Sequence, residues 1–128
     1  MENARINEIT RQILDASITV HRIMGPGLLE SVYELCLKRE LELRGLKVQS
    51  QVPIPLIYKG VLLSKEYKID LLVEGIVIIE LKCVEVMLPI FDAQIISYLK
   101  LADKKVGLLI NFNVSLLKNG FRRFVNNF

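Results

Sequence analysis

Ile69-Asp70-Leu71-Leu72-Val73-Glu74-Gly75-Ile76-Val77-Ile78-Ile79-Glu80-Leu81-Lys82 is the stretch on which the fold turns. Tyr67 to Val73 and Ile76 to Leu81 read as strands, the second being the most β-branched run in the chain, and Glu74-Gly75 reads as the turn between them. Three ionisable side chains interrupt this apolar material: Asp70, Glu80 and Lys82. An unpaired charge buried in a strand is costly, so their presence needs a reason. Glu80 and Lys82 are two apart and share a strand face. The face of Asp70 depends on the turn: an odd number of loop residues puts it with Glu80, an even number puts it on the other side. A three-residue loop Val73-Glu74-Gly75, with Gly75 left-handed, is a known hairpin type. It sets Asp70 opposite Ile78 and diagonal to Glu80, and gathers Ile69, Leu71, Val77, Ile79 and Leu81 on the core face. The hydrophobic pattern thus favours the odd loop and the cluster Asp70–Glu80–Lys82.

Upstream, Ile6, Ile9, Ile13, Ala16, Val20 and Ile23 recur at helical spacing, and Gly25-Pro26-Gly27 ends that helix. A second helix is predicted from Leu28 to Arg44, its stripe running through Leu28, Val32, Leu35, Cys36 and Leu43 with Arg39 interrupting, and Gly45 closes it. Leu46 to Gln49 alternates as a half-buried strand does. Val52 to Tyr58 carries Pro53 and Pro55, which suit an edge or bulged strand. Lys59-Gly60 is a turn, and Val61 to Leu63 is further strand material. Downstream, Pro89 opens a third helix, Ile90 to Leu101. Val106 to Phe112 and Gly120 to Val125 are the last strands. This order predicts an α/β or α+β architecture, one sheet with helices packed on it.

At 128 residues, a single domain spanning 1–128 is expected, because two halves of about 64 would each be marginal alone. Hydrophobic residues make up 52% and charged residues 24%, which excludes a disordered chain. No apolar run approaches the roughly 18 residues of a membrane span. Met1-Glu2-Asn3-Ala4-Arg5 precedes no apolar segment, so no signal peptide is expected. Cys36 and Cys83 then read as reduced core thiols of a cytoplasmic protein, too few for structural zinc. The net charge of +3 does not by itself imply a polyanion partner, although Lys104, Lys105, Lys118, Arg122 and Arg123 make the C-terminal end basic. Ordinary solubilising charge explains that end equally well.

Two carboxylates and an amine on one patch have a chemical logic. Mg²⁺ takes hard oxygen ligands, one or two of them carboxylates, and completes its shell with water and phosphate. The metal lowers the pKa of water and shields phosphate charge, while a neighbouring amine orients or helps deprotonate the attacking water. The competing structural explanation is a cross-strand salt bridge.

Two further motifs narrow this choice. Gly27-Leu28-Leu29-Glu30-Ser31-Val32-Tyr33 reads G-x-x-E-x-x-Y at the start of the second helix, and Gln94-Ile95-Ile96-Ser97-Tyr98 reads Q-x-x-x-Y in the third. With Asp70, Glu80 and Lys82 between them, the chain from about Ile6 to Val125 resembles the GxxExxY protein family, grouped with the PD-(D/E)XK nuclease superfamily. The resemblance implies a restriction-endonuclease-like α/β core, a mixed central sheet flanked by helices. It implies Asp70 and Glu80 as metal ligands with the Leu81 carbonyl as a third, and Glu30 as an acid that binds or orients the metal. It implies Lys82 as the residue that positions or activates water, and Gln94 and Tyr98 as groups that shape the site or touch phosphate. Ile69 stands where the superfamily name has proline, Phe91 where many relatives have histidine, and Cys83 where a small residue is usual.

The implied activity is Mg²⁺-dependent hydrolysis of phosphodiester bonds in DNA or RNA, with Mn²⁺ a substitute. The alternative is a non-catalytic nucleic-acid-binding or regulatory domain on the same fold, and a third reading makes the charged trio a structural salt-bridge network. A homodimer is consistent with the high mean hydropathy of +0.37. Other residues have simple structural explanations: His21 at a helix C-terminus, Glu30 at a helix N-terminus, Tyr33 and Tyr98 as packing aromatics, Gln94 as an exposed helix residue, Lys104-Lys105 as a solvated turn, and Cys83 as an inert thiol.

Overall fold

A computed structural model describes residues 2–128. Helix α1 (Glu2–Met24) and helix α2 (Glu30–Leu43) precede a long hairpin of β1 (Val48–Tyr58) and β2 (Val61–Val73). Strand β3 (Val77–Lys82), helix α3 (Pro89–Ala102), strand β4 (Val106–Asn111), a short 3-10 turn (Leu117–Gly120) and strand β5 (Phe121–Val125) complete the chain. The strands lie in sequence order, β1-β2-β3-β4-β5. Only β3 and β4 run parallel, and α3 is their crossover; the other pairs are antiparallel. The sheet is therefore mixed and α/β, with β3 at its centre.

Two cores sandwich the sheet. On one side Ile6, Ile9, Ile13, Ala16 and Val20 of α1 pack with Tyr33, Leu37 and Leu41 of α2 against Leu71, Val73, Val77, Ile79 and Leu81. On the other, Tyr98 and Leu99 of α3 cover Ile54, Leu72 and Ile78. Asn111, buried at the end of β4, receives the N–H of Val84 at 3.1 Å and donates to its carbonyl at 2.9 Å. The Phe112 N–H donates to the Lys82 carbonyl at 3.0 Å. Together these bonds pin the chain where it leaves β3, immediately beside Lys82.

Several expectations are corrected here. Ile23 is 71% exposed and lines an open apolar groove with Leu35, Cys36 and Leu43 of α2 instead of being buried. Helix α2 buries Tyr33–Leu37–Leu41 and leaves Leu35 and Leu43 exposed, so the buried stripe is not the predicted one. Its four-residue spacing meets no charge, whereas the predicted stripe runs into Arg39. Gly45 does close α2 with a φ of +84°, the Leu46 N–H reaching back to the Leu41 carbonyl at 3.1 Å. The strand segments around Pro53-Pro55 and Ser64 merge into the continuous β1 and β2, with irregular register at Ile54–Ile57. Both cysteines are free thiols, as expected, half-buried where they pack against the α1–α2 side of the core. The turn occupies Glu74 to Ile76, Glu74 and Gly75 both having positive φ, so the register moves two residues from the predicted one. Its parity is the predicted odd one. Ile69 lies in the α3-side cluster, not with Leu71, because strand alternation breaks between them. There the β1–β2 ladder omits the Gln51–Asp70 step, and Gln51 adopts a φ of 52°.

Gly120 shows how tightly the region after β4 is packed. A Cβ there would stand 2.2 Å from the Asn111 carbonyl oxygen, which cannot yield without disturbing β4. Gly120→Ala is expected to destabilise the fold by about 2 kcal/mol or more, read as a lowered urea midpoint. An unchanged midpoint would contradict that packing.

Candidate active site

The register Leu71↔Ile79 brings Asp70 opposite Glu80, one step beyond the last recorded pair. Side chains take over from the backbone at this step. The Leu81 N–H donates to Asp70 Oδ2 at 2.8 Å, and the Asp70 N–H donates to Glu80 Oε1 at 3.3 Å. The two carboxylates are thus interlocked through each other's strands, at a point where the ladder is open on both sides of Asp70. In an extended strand a residue's N–H and C=O point the same way, so the Leu81 carbonyl also lies on the Asp70 side.

Burial sets the electrostatics. Glu80 is 7% exposed. Desolvation, reinforced by the facing charge of Asp70, pushes its carboxyl up to about 9, and Lys82 opposes only weakly. Glu30, at the start of α2, is raised by desolvation and then by Asp70, with Lys82 acting the other way. Glu34, one turn further, is raised by desolvation and Asp70. Gln51 bridges this acidic group, donating from Nε2 to Glu34 Oε1 at 2.8 Å and to Asp70 Oδ1 at 3.3 Å.

Lys82 makes no ion pair with Asp70, Glu80 or Glu30; among the described residues the salt bridges lie elsewhere. Its ammonium sits 4.5 Å from the centre of the Phe91 ring. Phe91 is therefore the seat of the lysine. Lys82 also lines a cleft of about 540 Å³ together with Gln94 and Tyr98. Gln94 Nε2 donates to the Tyr98 hydroxyl at 3.1 Å. Burial raises the Tyr98 phenol, and the neighbouring Glu80 adds to the effect.

Residues 7–124 match the sequence profile of the PD-(D/E)XK nuclease superfamily. The chain belongs to that superfamily. No curated protein and no solved structure matches it. Membership in the PD-(D/E)XK superfamily carries a nuclease-type function, nucleic acid as the substrate class, and a restriction-endonuclease-like fold, which the mixed sheet and its flanking helices display.

PD-(D/E)XK nucleases generally use divalent metals, and the residues present fit such an ion. Asp70 and Glu80 form a closely set acidic pair whose mutual repulsion no cationic side chain offsets within ion-pair distance. Their donors are hard oxygens. Among the described residues no three His, Cys, Asp or Glu side chains are grouped closely enough to hold an ion, so Glu30 is not brought together with Asp70 and Glu80 as a third carboxylate ligand.

The remaining sequence candidates fall outside the site. Tyr33 stacks on Phe112 with ring centroids 4.6 Å apart, donates its hydroxyl to the Gly25 carbonyl, and accepts the Leu28 N–H at 3.2 Å. His21 Nε2 donates to the Val114 carbonyl at 2.7 Å, tying α1 to the loop after β4. Burial and the charge of Glu30 push the Cys83 thiol up to about 11, so it is a poor nucleophile. Arg122 is paired with Asp92 at 3.2 Å. Glu34, Gln51 and Asn111 are the residues that sequence reasoning missed. Glu34 had a visible signal, four residues after Glu30 on the same helix face. The left-handed backbone of Gln51 had none. No described helix is long and apolar enough to cross a membrane.

Proposed function

We propose that the chain is a single-domain, Mg²⁺-dependent nuclease of the GxxExxY type, hydrolysing phosphodiester bonds in nucleic acid, with Mn²⁺ able to substitute. The observation that carries this is the Asp70–Glu80 interlock at an opening in the sheet, with Lys82 beside it and free of any carboxylate partner.

Asp70, Glu80 and the Leu81 carbonyl would hold the ion, with Glu30 close enough to feel the charge of Asp70 but not grouped with the pair as a third carboxylate ligand. When bound, a divalent cation supplies Lewis-acid polarisation of the phosphate and lowers the pKa of water. The chain's own residues do the rest. The Leu81 N–H fixes one oxygen of Asp70 and Gln51 reaches the other, so the ligand's rotamer is set before substrate arrives. Phe91 holds the Lys82 ammonium by its ring face, and the lysine is available to a phosphate oxygen and to the attacking water. Gln94 and Tyr98 hold the wall next to it.

The test is calorimetric titration of Mg²⁺ into the wild type and Asp70→Ala side by side, with circular dichroism confirming that both are folded. Binding heat is expected in the first and not in the second, together with Mg²⁺-dependent cleavage of oligonucleotides by the wild type alone. Equal heats, or cleavage that survives in Asp70→Ala, would overturn the proposal. Nucleic-acid binding with no metal-dependent cleavage would instead mark a non-catalytic binding domain.

A further inference from the structure

The cleft beside Lys82 lies between α3 and the β1–β2 hairpin and is larger than a cation site requires. Its walls include Leu56 and Tyr67 from the hairpin, and Ile90, Phe91 and Tyr98 from α3, with the Gln94 amide among them. At about 540 Å³ it falls within the range of pockets that enclose small organic ligands. Tyr67 is 47% exposed, and its ring stands 6.0 Å from that of Tyr98 at 56°. A half-exposed aromatic at the mouth of an apolar cleft is a surface on which a flat π-system can lie. The Gln94 side chain spends one donor on Tyr98 and retains an acceptor and a second donor for a polar edge.

Charge identifies the occupant further. The same hairpin carries Lys59, Lys65 and Lys68 against two acids, Glu66 and the site residue Asp70, and among the described residues none of the three lysines is ion-paired. A flat, hydrogen-bonding ring attached to a polyanion is a nucleotide of a nucleic-acid strand. In a continuous duplex both faces of each base are covered by its neighbours, so only an unstacked base can enter.

We propose that this cleft is a nucleobase subsite, taking one unstacked base next to the phosphate held at Lys82, and that the preferred substrate is single-stranded nucleic acid. The proposal rests on the nuclease reading for its phosphate position, but its binding arm stands apart from catalysis. Stacking on Tyr67 supplies affinity with little dependence on base identity, and the hairpin lysines hold the backbone in a salt-sensitive way.

The experiment is a fluorescence titration, without metal, of short oligonucleotides containing 2-aminopurine, as deoxy and ribo single strands and as the matching duplex. A single strand of either sugar is expected to bind at least about tenfold tighter than the duplex and to be quenched on binding. Tyr67→Ala is expected to weaken single-strand binding by about tenfold or more and remove the quench, leaving duplex binding unchanged. Tyr67→Phe, which keeps the ring and guards against a folding artefact, should retain both. Duplex binding as tight as single-strand binding, or an unaltered quench in Tyr67→Ala, overturns the subsite. Single-strand preference with quenching, but no Mg²⁺-dependent cleavage of any substrate, upholds the subsite and overturns the nuclease reading instead.

Discussion

Raising the pH from 4.5 toward about 9 is expected to destabilise the metal-free protein, in the opposite sense to ordinary acid denaturation. The cause is Glu80. Burial and the facing Asp70 move its carboxyl from 4.5 to about 9 on folding. Within that window the folded chain holds a proton that the unfolded chain has released. Stability from this group is therefore complete below 4.5 and is lost as pH rises through the folded value of about 9. Each pH unit inside the window is worth at most about 1.4 kcal/mol per group, so the total is on the order of a few kcal/mol. Glu30 and Glu34 are shifted the same way and add to it. Glu8 and Asp15 are held below the usual carboxylate range by Arg11 and Arg44, and lose their effect only on acidification. Melting temperature followed across this range should fall in the wild type, and Glu80→Gln should flatten the fall by fixing the neutral form. Mg²⁺ should reverse it, more strongly at high pH, since the ion competes with the Glu80 proton and stabilises only the native state. A wild-type melting temperature that rises steadily from pH 5 to about 9, or a Glu80→Gln variant with the wild-type slope, would refute the assignment.

How much of this was legible in the sequence depended on how local each determinant is. The central strand, the α3 start at Pro89 and the two hairpin turns follow from β-branched runs, proline and glycine, which act within a few residues. The parity of the Glu74-Gly75 turn was legible because one wrong step would have exposed Ile79 and Leu81. Its register was not, because a shift of two residues preserves the faces and is decided by the turn's own geometry. The face of α2 was misread because the helix has two apolar stripes, and the choice between them is made by tertiary packing against α1 and against Phe112, the latter far away in sequence. Asp70, Glu80 and Lys82 stood out as charges in apolar strands. Gln51 did not, since its contact with Asp70 depends on a left-handed residue in β1 that no residue type announces. Phe91 was visible only as a departure from a family pattern, and its position over Lys82 gives that departure a physical meaning.

Lys82→Met is expected to lower Mg²⁺-dependent cleavage about 10²- to 10⁴-fold, the range associated with a positioned proton-transfer group, while melting temperature changes little. The methionine keeps most of the apolar stem against Phe91 and removes only the charge. What is lost structurally is a cation–π contact worth roughly 0.5–1 kcal/mol at a partly exposed site. This separates a reactive lysine from a structural one. In a salt-bridge network, removing Lys82 would leave the buried Glu80 and the half-buried Asp70 without their counter-ion and would cost about 3–5 kcal/mol. Here no carboxylate lies within ion-pair distance of the amine, so that penalty has no source. Mg²⁺ binding by calorimetry should persist in Lys82→Met, because the ligands Asp70 and Glu80 remain and a nearby positive charge has gone. Phe91→Leu should fall between wild type and Lys82→Met in cleavage rate, since it keeps the amine and removes the ring that holds it. A Lys82→Met protein that cuts at the wild-type rate would remove the lysine from the chemistry, and one that melts far earlier with the metal still bound would return it to the structure.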